Sequence, residues 1–334
     1  PLKHIDLFFI KNFEIHVENL FNCNEQMRLN KLMLVGIFLL AILTLGAVSA
    51  QEGSSADVLA VDGASSPVLG DGISYDKTIY VNTTGDDSNS GSQTSPYATI
   101  NKGISSVNAS DNAVIYLSEG TFTGDNNTDL SINLAHKNYN GSLTFIGQGY
   151  DKTFIDGEQM APIFKSMSGD SIIVFKNIAF INGKANTGGA ITSNAVLTID
   201  NCLFEDNYAT GSNGGAIYQR SNDFKVTNSI FRNNSVNSYG GSIFASSMQN
   251  AQLMNCVFEN SVVRSTYCTG AGAYIDASNS TIIKNNRFVN ISTSSNAKDA
   301  ALYANSGYNG NGIIVNNTFI NCNNNGKNGA VINI

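Results

Sequence analysis

From residue 77 onward the chain alternates apolar and polar positions in short runs, and the runs themselves recur. Lys77-Thr78-Ile79-Tyr80-Val81, Val114-Ile115-Tyr116-Leu117, Leu143-Thr144-Phe145-Ile146 and Thr153-Phe154-Ile155 read as strands. Between the first two, Tyr97, Ile100, Ile104 and Val107 keep helical spacing, with Ser95 to cap and Pro96 in the first turn. This predicts a helix near residues 96 to 107, covering the exposed end of the first strands.

The stretch from residue 175 to the end is a repeat. Six segments align on Phe180, Phe204, Phe231, Phe258, Phe288 and Phe319, spaced by 24, 27, 27, 30 and 31 residues. Three places before each stands Asn: Asn177, Asn201, Asn228, Asn255, Asn285 and Asn316. Two places after stands Asn182, Asp206, Asn233, Asn260, Asn290 or Asn321, and five places before is always an apolar residue. A second block recurs between them as GGAI at Gly188, GGAIY at Gly214, GGSIF at Gly240, GAYI at Gly272, AALY at Ala300 and GAVI at Gly329.

A period of this length, with one strand before the Asn, one carrying the Phe and one at GGAI, predicts a right-handed parallel β-helix: an all-β solenoid of three-strand coils over residues 77–334. No coil can bury its Phe alone, but coils about 4.8 Å apart set identical residues on one another. Asn tolerates a left-handed backbone at the bend, and its amide can bond the equivalent amide one coil along. The Asn and Phe positions are therefore read as structural ladders. Fixed Leu spacing and GGxGxD, the marks of other solenoids, are absent.

Composition supports strands over helices, since 46 Asn and 31 Gly compete with a helical backbone. A net charge of −7 argues against nucleic acid as a partner. At the other end, Met27, Arg28 and Lys31 precede an uncharged apolar run from Leu32 to Leu45 and then Val48-Ser49-Ala50. This is the three-part pattern of a secretory signal over residues 27–50, with cleavage expected after Ala50. Residues 1–26 lie upstream of that Met and are read as outside the native protein; residues 51–76 read as a linker. The expected location is extracellular or at the cell surface.

Side chains alternate along a strand, so one row of each GGAI block faces in and the other out. The row Ile191, Ile217, Ile243, Tyr274, Leu302 and Val331, aliphatic but for Tyr274, is assigned inward, which places Tyr218, Phe244 and Tyr303 on an outer stripe beside Thr192, Ile275 and Ile332. Exposed aromatic ladders suit sugar rings. Arg264, Tyr267 and Tyr308 in the longer turns are further binding candidates.

Cys202 and Cys256 occupy one repeat position two coils apart, too far for a disulfide, and are expected as buried thiols. Asp86 and Asp87 read as a polar turn rather than a calcium site. No cofactor and no metal is expected. Of eight N-x-[ST] sites, Asn233, Asn290 and Asn316 fall in the ladders and are expected to be enclosed.

With these residues in view, the GGAI and Phe–Asn repeats resemble those of chlamydial polymorphic membrane proteins. The segment IYVNTTGDDSNSGSQTSPYATINKGI resembles the entry to pectate-lyase-like β-helices. Behind a signal sequence in so Asn-rich a chain, the combination most resembles the adhesin-like surface proteins of methanogenic archaea. The resemblance covers residues 77–334 and implies a non-catalytic adhesin. The partners it implies are host or neighbouring cell-surface glycans or proteins, with attachment to its own wall or membrane through a C-terminal region beyond Ile334. The same fold carries lyases and hydrolases, so a polysaccharide lyase or glycoside hydrolase is the alternative, and a passive surface-layer or stalk component the third reading. The Asp-rich calcium site and the NTD, DD, HG and RIK motifs of such enzymes are not found in the repeats. Asp200, Asp206, Asp223 and Asp276 are scattered, and Arg220, Arg232, Arg264 and Arg287 read as standing beside no acidic cluster.

Overall fold

A computed structural model describes residues 74–108, 110–133, 141–168, 171–264, 269–293, 299–324 and 330–334. The signal segment and residues 1–26 lie outside the described residues. Among those described, no helix is long and apolar enough to cross a membrane.

The chain winds as a parallel β-solenoid with three main faces. The first face stacks Lys77–Val81, Asn112–Leu117, Ser142–Ile146, Ile172–Lys176, Val196–Asp200 and Phe224–Thr227, and ends in Asn311–Val315. The second carries the phenylalanines, from Ala179–Ile181 through Leu203–Glu205 and Ile230–Arg232 to Thr318–Ile320. The third holds the GGAI blocks, including Ile191–Ser193 and Ile217–Arg220. In two coils the third face runs into the first without a break, as the 12-residue strands Ile243–Met254 and Ala273–Lys284. Beyond the three strands expected, each Phe coil has a two-residue strand after the Phe, such as Tyr208–Ala209 and Ser235–Val236, and these form a small sheet of their own.

Residues of one kind stack because the register is parallel. Phe180, Phe204, Phe231, Phe258, Phe288 and Phe319 lie in one column with centroids 4.7–4.9 Å apart and planes within 9°. Beside it runs a column on the first face: Phe145, Phe175, Ile199, Val226, Leu253 and Ile283. Each of these is at most 1% exposed.

The bends on both sides of each Phe are left-handed. Asn177, Asn201, Asn228, Asn255, Asn285 and Asn316 have φ of 52–61°, and Asn182, Asp206, Asn233, Asn260, Asn290 and Asn321 have 51–57°. Asn201 donates to Asn177, Asn255 to Asn228, and Asn285 to Asn255, at 2.8–3.1 Å. Asn228 instead donates to Asp200 at 2.7 Å, so one rung is bridged by a carboxylate. On the other side Asn260, Asn290 and Asn321 each donate to the Asn one coil before. Asn233, Asn290 and Asn316 are exposed, contrary to the enclosure expected of them, because these bends sit at the outer corners of the coil.

Just inside the bends lie two separate amide pairs, one after the Phe strand and one before it. Asn207 Nδ2 donates to Asn234 Oδ1 and to the Phe180 carbonyl, and Asn286 Nδ2 to Asn317 Oδ1 and the Leu253 carbonyl. Cys202 and Cys256 are free, buried thiols, and burial pushes each up to about 12.

Among the described residues the one helix is shorter than expected. It spans Ile100–Ser105, with Thr99 rather than Ser95 at the N-cap, its Oγ1 accepting from the Lys102 amide. Tyr97 is instead bridged to the first strand, since its amide donates to the Tyr80 carbonyl and its carbonyl accepts from the Asn82 amide. Tyr97, Ile100, Ile104 and Val107 are nonetheless all buried in the core. Asp87 fixes the loop before them, accepting from the amides of Ala98 and Thr99 and from Thr99 Oγ1. Asp86 accepts from the Ser88 hydroxyl and amide, which holds its carboxyl below the usual range. Tyr75 is buried and the Asp76 amide bonds Asn112, so the fold is already formed at the end of the segment read as linker.

Candidate functional site

The third face carries an outward column of rings. Pairing sets Thr192, Tyr218, Phe244, Tyr274, Tyr303 and Asn333 in one register line. Tyr218 and Phe244 stack at 5.5 Å, Phe244 and Tyr274 at 4.7 Å, and Tyr274 and Tyr303 at 4.3 Å, all within 18° of parallel. Tyr239 flanks the column, 6.4 Å from Phe244 and 6.2 Å from Tyr274. All five rings are half-buried. Burial, with Tyr303 and Asp276 beside it, raises the Tyr274 hydroxyl well above the ordinary tyrosine range.

Two row assignments made from the sequence are corrected. Tyr274 faces out and Ile275 is buried, and Ile332 pairs with the inner Leu302 while Asn333 takes the outer position. The turn that starts the block needs a left-handed Gly, which is Gly214 (φ 70°), Gly240 (66°) and Gly270 (63°). Aligning Gly272 with the second glycine of the pair (Gly215, Gly241), the place that Ala271 holds, shifts the count by one residue and exchanges the rows.

Two residues further along each strand is a polar row on the same side, missed in the sequence: Arg220, Ser246, Asp276 and Asn305 in one register line. Asn305 Nδ2 donates to Asp276 Oδ1 at 2.8 Å. A flat aromatic track thus runs beside a guanidinium, a hydroxyl, a carboxylate and an amide. The signal was present in the i, i+2 spacing from Tyr218, Phe244, Tyr274 and Tyr303.

The turn candidates divide. Arg264 is spent on Tyr208, its guanidinium 5.0 Å from the ring centroid. Tyr308 is fully exposed at a turn. Tyr267 lies outside the described residues. Two of the arginines read as standing beside no acidic cluster each meet a single glutamate: Arg232 meets Glu205 at 2.6 Å and Arg287 meets Glu259 at 3.5 Å. Glu205 and Arg232 are register partners, whereas Arg287 stands opposite Val257 and reaches Glu259, two residues along that strand, on the diagonal. Among the described residues no group of His, Cys, Asp or Glu is gathered for a metal ion.

No protein-family model matches this chain, and no curated protein matches it. Among solved structures, a chain described as a rhamnogalacturonan lyase is similar at 13% identity, covering 72% of this chain and 87% of that one, with a TM-score of 0.28. A likeness of that size carries nothing about activity.

Proposed function

We propose that this is a secreted or surface-displayed adhesin-like protein that binds glycans of a host or neighbouring cell without transforming them. The observation that supports the reading is the continuous column Tyr218, Phe244, Tyr274 and Tyr303 with its polar row. Stacked rings offer successive faces to the C–H side of pyranose units, while the amide, hydroxyl and charged groups alongside suit sugar hydroxyls. A site made of strand positions is rigid, so little ordering cost accompanies binding.

The experiment is a glycan array run beside a degradation assay on uronic-acid polymers with calcium present. Expected are saturable glycan binding and no unsaturated products. Binding should weaken at least about tenfold when Tyr218, Phe244, Tyr274 and Tyr303 are all changed to Ala. Lyase products abolished by a single Asp or Arg change would replace the adhesin reading with an enzyme. Full binding by the fourfold variant would remove this column as the site.

A further inference from the structure

A second aromatic pair stands on a different face, many coils away in sequence. Tyr80 and Tyr116 are register partners at outward positions of the first face, stacked at 5.2 Å and 20°. They line a cleft of about 610 Å³ with Pro96, Gln93, Gln148 and Glu119. Its floor is held firmly: the Tyr80 amide and carbonyl are both tied to the 91–97 loop, through Gly91 and Tyr97.

The lining chemistry narrows the occupant. Two half-buried rings and a proline supply a flat apolar wall, and of three side-chain amides Asn82 accepts from Thr84, while Gln93 and Gln148, the latter with one donor on the Leu117 carbonyl at 3.4 Å, supply donors and acceptors. Glu119 is the one charged group in the lining, and Lys152 Nζ meets its Oε1 at 2.9 Å. The cleft therefore holds neither an unpaired carboxylate for a cation nor a lining cation for an anion.

We infer that the Tyr80–Tyr116 cleft is a second saccharide site, taking a neutral pyranose end or branch against the stacked rings, with Gln93 and Gln148 reaching its hydroxyls. It rests on its own geometry and stands or falls apart from the third-face column. Its position on the first face separates the two sites, so one protein holds glycan at two places.

The test uses the soluble chain with neutral oligosaccharides (cellohexaose, mannohexaose, xylohexaose and chitohexaose), read by tyrosine fluorescence, since the chain has no Trp. The background is the fourfold Ala variant of the third-face column. Saturable binding of at least one sugar, weakened about tenfold or more by Tyr116→Ala, supports the site. Gln148→Ala should weaken it without touching either ring, which guards against a folding defect in Tyr116→Ala. Tyr116→Phe should keep most of the affinity. Absence of binding to all four sugars in that background overturns the proposal while leaving the third-face reading intact. Stronger binding of a cationic probe such as tetramethylammonium than of every sugar overturns it as well.

Discussion

The interior of the solenoid changes character at Phe180. Before it, rings come from all three faces, and those from different faces meet at steep angles: Phe145 and Phe164 at 64°, Phe164 and Phe175 at 51°, Phe175 and Phe180 at 82°, while the register partners Phe145 and Phe175 stack at 23°. After it the second face carries one ring in every coil at angles of 4° to 9°, and among the described residues Phe224 on the first face is the one further fully buried phenylalanine. Edge-to-face contact is a geometry rings favour when free to choose. The later spacing of 4.7–4.9 Å matches the distance between paired strands, so the backbone has chosen for them. The first half is thus held by complementary shapes and the second by repetition.

The largest expected effect removes a repeated ring. Phe231→Ala should cost about 3–5 kcal/mol, because its neighbours are fixed by backbone pairing and cannot collapse into the cavity. A loss under about 1 kcal/mol in a urea titration would show that the stack relaxes after all.

Next comes a pH effect confined to the repeated half, where Cys202 and Cys256 are buried. Burial favours the neutral thiol, so the folded values of about 12 lie above an unfolded value near ~8.5. A raised folded value means that stability is whole below pH ~8.5 and is lost as pH climbs toward about 12. For two thiols the loss between about pH 7.5 and 9.5 should be about 2–3 kcal/mol. The double variant Cys202→Ala, Cys256→Ala should lower stability at about pH 7.5 but remove most of this slope; an unchanged slope assigns it to other groups.

The smallest effect probes the boundary itself. On the second face Ile155 stands between Phe122 and Phe180, so Ile155→Phe would extend the ring column by filling its one interruption. Because Ile155 is fully buried among shape-matched neighbours, overpacking by about 1–3 kcal/mol is expected. A rise in the urea midpoint would mean that the first half tolerates the rule of the second.

The same contrast governs what could be read from the residues. Asn177 to Asn316 and Phe180 to Phe319 were legible because one chemical requirement, a left-handed bend or a stacked ring, recurs at a fixed offset. The two-residue strands such as Tyr208–Ala209 were not, since two residues carry no periodicity. The helix start was misplaced because Ser95 and Pro96 satisfy local capping rules while Tyr97 is claimed on both sides by a strand. Tyr274 was put in the wrong row because Ala271 replaces the second glycine of the pair, so that Gly272 takes its place in a reading by residue type and the count slips by one; the φ of Gly270 marks the true start. The pairing of Arg232 with Glu205 depends on register between coils 27 residues apart, which no local window contains.

Register has an evolutionary consequence. Phe204 touches Phe180 on one side and Phe231 on the other, and among the bends Asn255 likewise donates to Asn228 and accepts from Asn285. Most contacts that cross a coil boundary on this face therefore join a residue to its own counterpart. A recombination event that deletes or duplicates the stretch from one Phe to the next leaves each broken contact facing an equivalent partner. The uneven spacing of 24 to 31 residues falls after the two-residue strand, in the turns leading to and from the third face, where length is least constrained. Coil number in such a gene is consequently a heritable variable that can drift by whole units, and with it the number of rings on the outer track.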